Sequence, residues 1–583
     1  MKPLICRRAV PATHRFSAAV PPLLQRVYAA RDLQQDADIS LAFSELHSPH
    51  LLQGIDTAVA LLFAQLQKQG RVLIVSDFDA DGATSCALAI RALRALGFAH
   101  VDYIVPNRFE YGYGLTPEIV ALAQGRKPDL LITVDNGISS IEGVAAAQAL
   151  GMQVLITDHH LPGRELPAAD AIVNPNLSDC GFPSKSLAGV GVVFYLMAAL
   201  RAHLRSTGWF AQQGVPEPNL ADYLDIVALG TVADVVPLDR NNRILVHEGL
   251  RRIRAGRLCP GIDALLRLGK RSRETLVASD LGFAVAPRLN AAGRLDDMSL
   301  GIECLLTDRP EQAQAIAAEL DAMNQQRKQI ETDMRDQALE TLATMRFEDE
   351  VLPAGLCLYQ QDWHQGVIGI LAARIKERVH RPVIAFADAG TDEQGIAQLK
   401  GSARSVAGLH IRDALDTVAT RHPGLITRFG GHAMAAGLSL PRDAYAAFSE
   451  AFAQVVADYV SEDALQARLV TDGELALTEL NLATAQMLRD AGPWGQHFPE
   501  PLFDGEFRVL QQRILGGKHL KLVLSPRQAT QVAVDAIAFN IDAHEWEGCN
   551  NALVRLVYRL DVNEFRGQRT LQLQVEHIER CAN

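Results

Sequence analysis

Three groups of carboxylate or imidazole side chains each follow a short apolar run that has the composition of a buried strand. They are Asp77, Asp79 and Asp81 after residues 72–75, Asp135 after residues 130–134, and Asp158, His159 and His160 after residues 154–156. Crowded carboxylates repel one another unless a cation neutralises them, and hard divalent metals prefer oxygen ligands. A mixed set of aspartate and histidine suits manganese, or magnesium at the all-oxygen positions. The pattern therefore predicts a divalent-metal site.

Each group taken alone also has an ordinary structural explanation. An Asp-rich turn can cap a helix, Asp135 before Asn-Gly is typical of a turn, and a single histidine is often a hydrogen-bonded structural residue. Together the groups are more informative, because the carboxyl ends of parallel strands meet at one crevice of an open sheet. A later apolar run at residues 225–238 carries Asp234, which can add a ligand.

The elements that must position these groups alternate between strand and helix. Strands are predicted at residues 72–75, 103–105, 130–134, 154–156 and 171–173, with helical spacing between them. This is the βαβ rhythm of an α/β protein with a doubly wound parallel sheet. Residues 1–70 show helical spacing and no candidate chemistry, so we expect a helical lead-in.

Length and composition limit the class of protein. At 583 residues the chain is too long for one core, and we expect three or four domains. The net charge of −12 excludes a surface that is basic throughout, so nucleic acid would have to bind a local groove. Eight scattered cysteines without a Cys-x-x-Cys pair indicate reduced thiols. We find no signal peptide and no membrane-spanning run, and expect a cytoplasmic protein with no membrane partner.

The second half of the chain predicts a long helix at residues 308–345 and then another α/β unit at about 350–460. Its strands are predicted near 355–359, 383–386 and 438–440. Two glycine-rich segments, 400–405 and 430–432, are predicted as loops in which backbone N–H groups and the Arg404 guanidinium could face a phosphate. A tight turn is the ordinary explanation for each segment.

The last part of the chain favours a small β-barrel. Strands are predicted at residues 503–509, 519–524, 532–539, 552–560 and 570–575. No acidic residue occurs between Phe507 and Val534, while the same stretch contains five cationic side chains: Arg508, Arg513, Lys518, Lys521 and Arg527. This predicts an electrostatic track for single-stranded nucleic acid. The alternative is a merely solvated face, since few aromatic residues are interleaved there for base stacking.

The order of the motifs resembles a known family. Asp-x-Asp, Asp-Asn-Gly, Asp-His-His and Gly-Thr-Val-Ala-Asp are similar to the four motifs of DHH-type phosphoesterases, and segments 287–294, 363–369 and 430–437 resemble the bacterial single-strand-specific exonucleases among them. After the helical lead-in at 1–70, the resemblance implies four parts: a DHH catalytic domain at 71–306, a long connecting helix at 307–347, a DHHA1 substrate-binding domain at 348–462 and an OB-fold nucleic-acid-binding domain at 463–583.

The resemblance also implies roles for the predicted site. Five residues would hold two manganese or magnesium ions: Asp79, Asp81, Asp135, His159 and Asp234. Asp135 would bridge the ions, Asp79 would bind one of them, and the remaining three would bind the other. His160 would contact the scissile phosphate or steady the leaving oxygen, while Asp77 and Asp158 would orient the ligands. Many relatives carry a histidine four residues before Asp79, where this chain has Val75, so one site lacks an imidazole.

For substrate binding, the resemblance implies Ser402 and Arg404 at the 5′ end of a strand, Arg374 and His432 near the substrate, and Arg288 and Arg294 along its backbone. The implied activity is a 5′→3′ exonuclease that hydrolyses single-stranded DNA to 5′-mononucleotides in recombination and repair. A single-strand-binding protein and a RecQ-type helicase are the implied partners of a monomeric enzyme.

Two other functions fit part of the pattern. A DHH enzyme for short oligonucleotides or cyclic dinucleotides would need the same metal ligands, but not a C-terminal barrel with a basic run. A non-catalytic replication scaffold that binds single-stranded DNA would be expected to have lost metal ligands, whereas all five are present in this chain.

Overall fold

The computed structural model describes residues 3–107, 111, 113–344, 352–392, 394–461, 465–529, 531–541 and 543–581. The chain divides into two compact units. The first unit contains Ile5–Asp321 and Val470–Asn583, and the second contains Met1–Leu4 and Ala322–Leu469. All eight cysteines are free thiols, as the sequence predicted. Among the described residues, every helix falls short of the length and apolarity that a membrane span requires.

A five-stranded parallel sheet organises the first unit. In spatial order its strands are Val101–Ile104, Val72–Ser76, Leu130–Val134, Gln153–Thr157 and Ala171–Val173. The central strands are buried along their whole length, because helices cover both faces of a parallel sheet. All five predicted strands are confirmed. The spatial order reverses between Val72–Ser76 and Leu130–Val134, and ligands bind at such a switch point.

The helices around this sheet follow the alternation that the sequence indicated. In chain order they are Ile55–Lys68, Ala80–Ala95, Pro117–Gln124, Ile141–Ala149, Gly189–Ser206, Trp209–Gln213, Leu224–Ala233, Arg240–Arg254, Pro260–Leu268, Ala278–Asp280, Ala286–Leu295 and Ser299–Leu306. The helix Ala80–Ala95 is buried over almost its whole surface, since its small side chains allow close packing. It begins directly at the acidic motif.

The N-terminal segment differs from the predicted helical lead-in. It begins with a short strand, Leu4–Arg7, before the helices Pro22–Ala29 and Asp36–Ile39. The Arg7 guanidinium donates to both carboxylate oxygens of Asp504, at 3.1 and 2.9 Å. Arg31 forms a buried ion pair with Asp472 at 2.8 Å. The segment is therefore tied by charge to residues far along the chain, which no local pattern indicates.

The predicted long helix is observed at Pro310–Thr344, and the predicted last residue, Met345, lies outside the described residues. Its early turns bury Ala313, Ala317 and Leu320 in the first unit. Its later turns bury Met334 and Ala338 in a core of the second unit.

The second unit contains a five-stranded mixed sheet. Its strands, in spatial order, are Arg428–Gly431, Ala435–Pro441, Ala397–Arg404, Val383–Thr391 and Leu356–Tyr359. The helices Ile368–Val379, Ile411–Arg421 and Tyr445–Tyr459 accompany this sheet. The prediction of glycine-rich loops at 400–405 and 430–432 was wrong, because most of both segments is strand. Position 401 within this strand requires glycine, because an added Cβ would lie 2.5 Å from the Phe386 ring.

A closed β-barrel ends the chain, as predicted. Around the barrel its strands are Phe503–Leu515, His519–Pro526, Val534–Ala538, Gln568–Arg580 and Leu553–Phe565. Closure leaves no unpaired sheet edge, which explains how five strands fold without a second sheet. The helix Leu482–Asp490 packs against the last two strands.

Candidate metal centre and substrate-binding residues

Two aspartates of the first acidic motif are oriented by helix N-termini. Oδ1 of Asp79 caps the helix Ala80–Ala95 by accepting the backbone N–H groups of Asp81 and Gly82 at 2.9 and 3.0 Å. Asp81 accepts the N–H groups of Gly189 and Val190 at 2.6 and 3.0 Å, at the start of another helix. Helix N-termini favour negative charge, so these contacts hold both carboxylates in fixed orientations.

Asp135 occupies a restricted position at the end of the strand Leu130–Val134. Its backbone has a φ of 63°, in the left-handed region that Asp and Asn tolerate better than most residues. An added Cβ at Gly189 would lie 2.7 Å from the Asp135 carboxylate, so glycine is required there. The Asp135 side chain is 2% exposed. Its orientation is thus set by both the backbone and the neighbouring helix.

Asp158 is engaged by the two histidines that follow it. Its Oδ1 accepts the backbone N–H groups of His159 and His160 at 2.7 and 3.0 Å, and lies 2.7 Å from Nδ1 of His160. Its Oδ2 accepts the N–H of Ile138 at 2.9 Å. Asp158 therefore organises this turn, and its oxygens are already occupied by hydrogen bonds.

The strand ends bring the predicted ligands together. Nε2 of His159 lies 3.0 Å from Oδ1 of Asp135 and 3.5 Å from Oδ2 of Asp234. Within each of three overlapping groups, the ligand atoms lie within 4.8 Å of one another. The groups are Asp135, His159 and His160; Asp81, His159 and Asp234; and Asp77, Asp79 and Asp135.

The electrostatics of this cluster fit a divalent cation. Burial and the neighbouring Asp79 charge raise the pKa of Asp81 to about 7. Burial and the surrounding carboxylates raise the pKa values of Asp135 and Asp234 well above the usual range. Oδ1 of Asp135 is buried and, among the described residues, accepts no hydrogen bond. Oxygen ligands of this kind, with one imidazole, form a suitable donor set for manganese or magnesium.

His160 lies beside the carboxylates and has a raised pKa. Burial alone would lower its pKa, but the hydrogen bond and charge of Asp158 outweigh burial and raise the pKa to about 9. The side chain is 30% exposed. A protonated imidazole at the rim of the cluster is suited to contact a phosphate oxygen.

The cluster has no histidine at position 75, and the environments of Val75 and Asp77 show which side chain faces the site instead. The Val75 side chain is fully buried in an apolar core with Leu73, Leu131 and Ile156. Asp77, two residues later, lies in the group with Asp79 and Asp135. Since its carboxylate is within ligand distance, Asp77 has the geometry of a metal ligand as well as that of an orienting residue.

Sequence reasoning missed three residues at the cluster. The Tyr113 hydroxyl lies 3.3 Å from the Asp135 carbonyl oxygen and 3.3 Å from Nε2 of His160. Oδ1 of Asn290 accepts the Ala80 N–H at 2.8 Å, and an added Cβ at Gly293 would lie 1.8 Å from the Phe78 carbonyl oxygen. The signal for the last two was the segment 287–294. For Tyr113 there was none, because the residue contacts the cluster only in the folded chain.

Three of the predicted substrate arginines occupy different environments. Arg288 is 8% exposed and pairs with Asp321 at 2.8 Å, and its role as a contact to the DNA backbone stays a prediction. Arg294 is half-buried on the helix Ala286–Leu295. Arg374 lies on the helix Ile368–Val379 and pairs with Glu331 at 3.2 Å.

Ser402 and Arg404 lie on the same face of the strand Ala397–Arg404. Nη1 of Arg404 donates to Oγ of Ser402 at 3.1 Å and to the Ala403 carbonyl oxygen at 2.8 Å. His432 is exposed next to the strand Arg428–Gly431. These residues belong to the second unit and lie within one sheet.

The basic track of the barrel is less strongly charged than the sequence indicated. Arg527 pairs with Glu506, and Nζ of Lys521 lies 3.7 Å from Asp535. Both acids flank the stretch in sequence and are brought alongside it by strand pairing. Arg508 donates to the Asn551 carbonyl oxygen at 3.0 Å. Among the described residues, no ion pair involves the two remaining exposed cations, Arg513 and Lys518.

Family models match three segments of the chain. The N-terminal domain of the DHH family matches residues 71–231, the DHHA1 domain matches 351–458, and the RecJ OB domain matches 471–577. Together the matches extend over most of the chain.

Individual proteins are similar over nearly the full length. The chain is 56% identical to the single-stranded-DNA-specific exonuclease RecJ of Dickeya dadantii (strain 3937) and 53% identical to that of Escherichia coli (strain K12), in each case over 98% of both chains. The crystal structure of RecJ from Thermus thermophilus in complex with Mn²⁺ matches with a TM-score of 0.77 and 28% identity, over 98% of this chain and 80% of that one. The Mg²⁺ complex matches with a TM-score of 0.71, 27% identity and coverage of 98% and 79%.

Proposed function

This chain belongs to the RecJ family of single-stranded-DNA-specific exonucleases, and on that premise we propose that it degrades single-stranded DNA from the 5′ end to 5′-mononucleotides in recombination and repair. The observation that carries the proposal is the convergence of the ligand atoms of Asp81, His159 and Asp234 at the switch point of the sheet, with Asp135 3.0 Å from His159. Such a donor set is what metal-dependent phosphodiester hydrolysis requires.

The ligands divide into two sets that share Asp135. Asp77, Asp79 and Asp135 would hold one ion, and Asp81, His159 and Asp234 would hold the other. Asp135 would be shared, because its Oδ1 also lies 3.0 Å from Nε2 of His159. When bound, two divalent ions lower the pKa of water and stabilise the attacking and leaving oxygens of an in-line displacement. Manganese and magnesium are the expected ions, because RecJ of Thermus thermophilus was crystallised with each.

The chain's own residues position the reacting groups. The two N–H donors to Asp81 and the fixed backbone of Asp135 hold these carboxylates in place without solvent reorganisation. His160 holds a non-bridging oxygen of the scissile phosphate. Asp158 keeps His160 oriented, a supporting role that strongly affects activity.

Substrate binding is assigned to two other parts of the chain. Ser402 and Arg404 bind the 5′-terminal phosphate through a charge-assisted hydrogen bond, with Arg374 and His432 beside the strand. Arg294 remains a candidate contact to the DNA backbone. The barrel, with Arg513 and Lys518 foremost, binds single-stranded DNA farther along. This assigns catalysis to residues 71–306, 5′-end binding to 348–462 and strand binding to 463–583.

The cellular setting follows from the family. A single-strand-binding protein and a RecQ-type helicase are expected partners of a monomeric enzyme. The helicase would separate the substrate strand from its complement, and the binding protein would keep it single-stranded. A cytoplasmic location is supported by the eight free thiols.

Direction and strand choice are tested with one long strand labelled at either end, with its duplex as the control. With manganese, we expect immediate release of a labelled mononucleotide only from the 5′ label, and no release from the duplex. Release from the 3′ label, internal fragments, or cleavage of only the shortest strands would contradict the proposal.

A further inference from the structure

Gly369 is the second residue of the helix Ile368–Val379 and faces the strand Ala397–Arg404. On that strand Ser402 and Arg404 alternate with Ala403, which is buried in the apolar core on the opposite face. The polar pair therefore points toward the first turn of the helix.

The contact at this point leaves no room for a side chain. A Cβ at Gly369 would lie 2.8 Å from Nη2 of Arg404 and 2.9 Å from Oγ of Ser402. Contacts of a real Cβ below 3.0 Å essentially do not occur. Glycine is thus what allows the guanidinium and the hydroxyl to approach the helix start together.

Two side-chain donors and a helix dipole meet there. The N–H groups of Ile368, Ile370 and Leu371 already donate to backbone carbonyl oxygens, so the helix contributes the positive end of its dipole. Arg404 and Ser402 add a guanidinium and a hydroxyl. Together these groups match a phosphate monoester, which has several anionic oxygens and accepts bidentate hydrogen bonds.

We propose that Gly369 is a positioning residue that selects for a 5′-terminal phosphate, by allowing Arg404 and Ser402 to converge on the first turn of this helix. The inference rests on the proposed 5′-end role of Ser402 and Arg404. Gly369 makes no contact of its own with the phosphate through a side chain. It acts through the position of the other two.

The change Gly369→Ala is expected to affect folding stability and substrate selectivity differently. Alanine is favoured over glycine in a helix. The atoms that a Cβ would meet are the ends of side chains, which are able to move. Gly369→Ala is therefore expected to leave the free energy of unfolding in urea unchanged or higher, while it displaces the guanidinium.

The test compares the wild type, Gly369→Ala, Arg404→Ala and the double variant, all as full-length chains with manganese. The quantity measured is the ratio of kcat/KM for a 5′-phosphorylated strand to that for the same strand with a 5′-hydroxyl. We expect each single variant to lower this ratio about 10-fold, as for loss of one hydrogen bond to a charged group. The double variant should lower it no further than Arg404→Ala, because both changes remove the same interaction.

The possible results distinguish the role of Gly369 from the proposed 5′-end role of Ser402 and Arg404. If Arg404→Ala lowers the ratio and Gly369→Ala does not, the role of Gly369 is overturned while the 5′-end pocket stands. If Arg404→Ala also leaves the ratio unchanged, both are overturned, although exonuclease activity itself persists. Additive losses in the double variant, or equal loss on both substrates, would also overturn the role of Gly369.

Discussion

Nε2 of His159 lies 3.0 Å from Oδ1 of Asp135, although the two residues follow different strands of the sheet. Oδ1 of Asp135 is buried and, within the part of the chain that the structure describes, accepts no hydrogen bond. A buried carboxylate oxygen would normally be hydrogen-bonded, since an unsatisfied polar group costs free energy. A cation bound by both Asp135 and His159 would satisfy the buried carboxylate oxygen. Asp135 therefore lies at the centre of the site.

The change Asp135→Asn should lower kcat/KM for a single strand by more than about 100-fold, because the loss of a supporting residue alone costs about 10-fold to 100-fold. Asparagine keeps the shape of the side chain and removes one charge from a crowded cluster. The metal-free variant should therefore be at least as stable in urea as the wild type. Retained cleavage by a folded variant would contradict the bridging role.

Asp77 is predicted to act as a ligand rather than only as an orienting residue. We expect Asp77→Asn to raise the manganese concentration for half-maximal activity by more than about 100-fold, and Asp158→Asn to raise it by about 10-fold to 100-fold. The comparison is informative because Asp158 is engaged by the histidines, whereas Asp77 lies with Asp79 and Asp135. A smaller shift for Asp77→Asn than for Asp158→Asn would return Asp77 to an orienting role.

Removal of the Tyr113 hydroxyl tests its contact with His160. Tyr113→Phe should lower kcat by up to about 10-fold, since one hydrogen bond beside a charged group is lost. The matched control is Tyr103→Phe, which removes a hydroxyl that donates to Glu303 at 2.7 Å, elsewhere in the same unit. Equal effects of the two changes would show that Tyr113 acts on stability and not on the site.

The ion pairs of the barrel predict unequal contributions to DNA binding. Arg513→Ala and Lys518→Ala should each reduce the slope of log affinity against log salt by about 0.7, the value for one phosphate contact on a single strand. Arg527→Ala should reduce it less, because Glu506 already neutralises Arg527. Fluorescence anisotropy with a labelled strand and EDTA measures this without cleavage. An unchanged slope in Arg513→Ala and Lys518→Ala would contradict the role of these barrel residues in binding single-stranded DNA.

The metal cluster was predictable because its signals are local. Each ligand group directly follows an apolar run, and the rule that parallel strands end at one edge of a sheet brings the groups together. Asp234 was also found from its own sequence motif. The sequence therefore identified both the sheet and most of the residues at its switch point.

Features that depend on distant partners were missed or wrong. Asp321 pairs with Arg288, and Glu506 and Asp535 pair with Arg527 and Lys521, only after the chain folds. Gly401 was interpreted as a loop residue, although it lies in a strand that must leave room for the Phe386 ring. These contacts are set by tertiary packing, which composition and spacing do not encode.

The most direct test of the two-metal centre is manganese binding, measured by stoichiometry and electron paramagnetic resonance on the wild type and Asp135→Asn. The account predicts two ions per wild-type chain with a spin-coupled spectrum, and loss of the coupled signal in the variant. One uncoupled ion in the wild type, or a coupled pair that survives in Asp135→Asn, would contradict it.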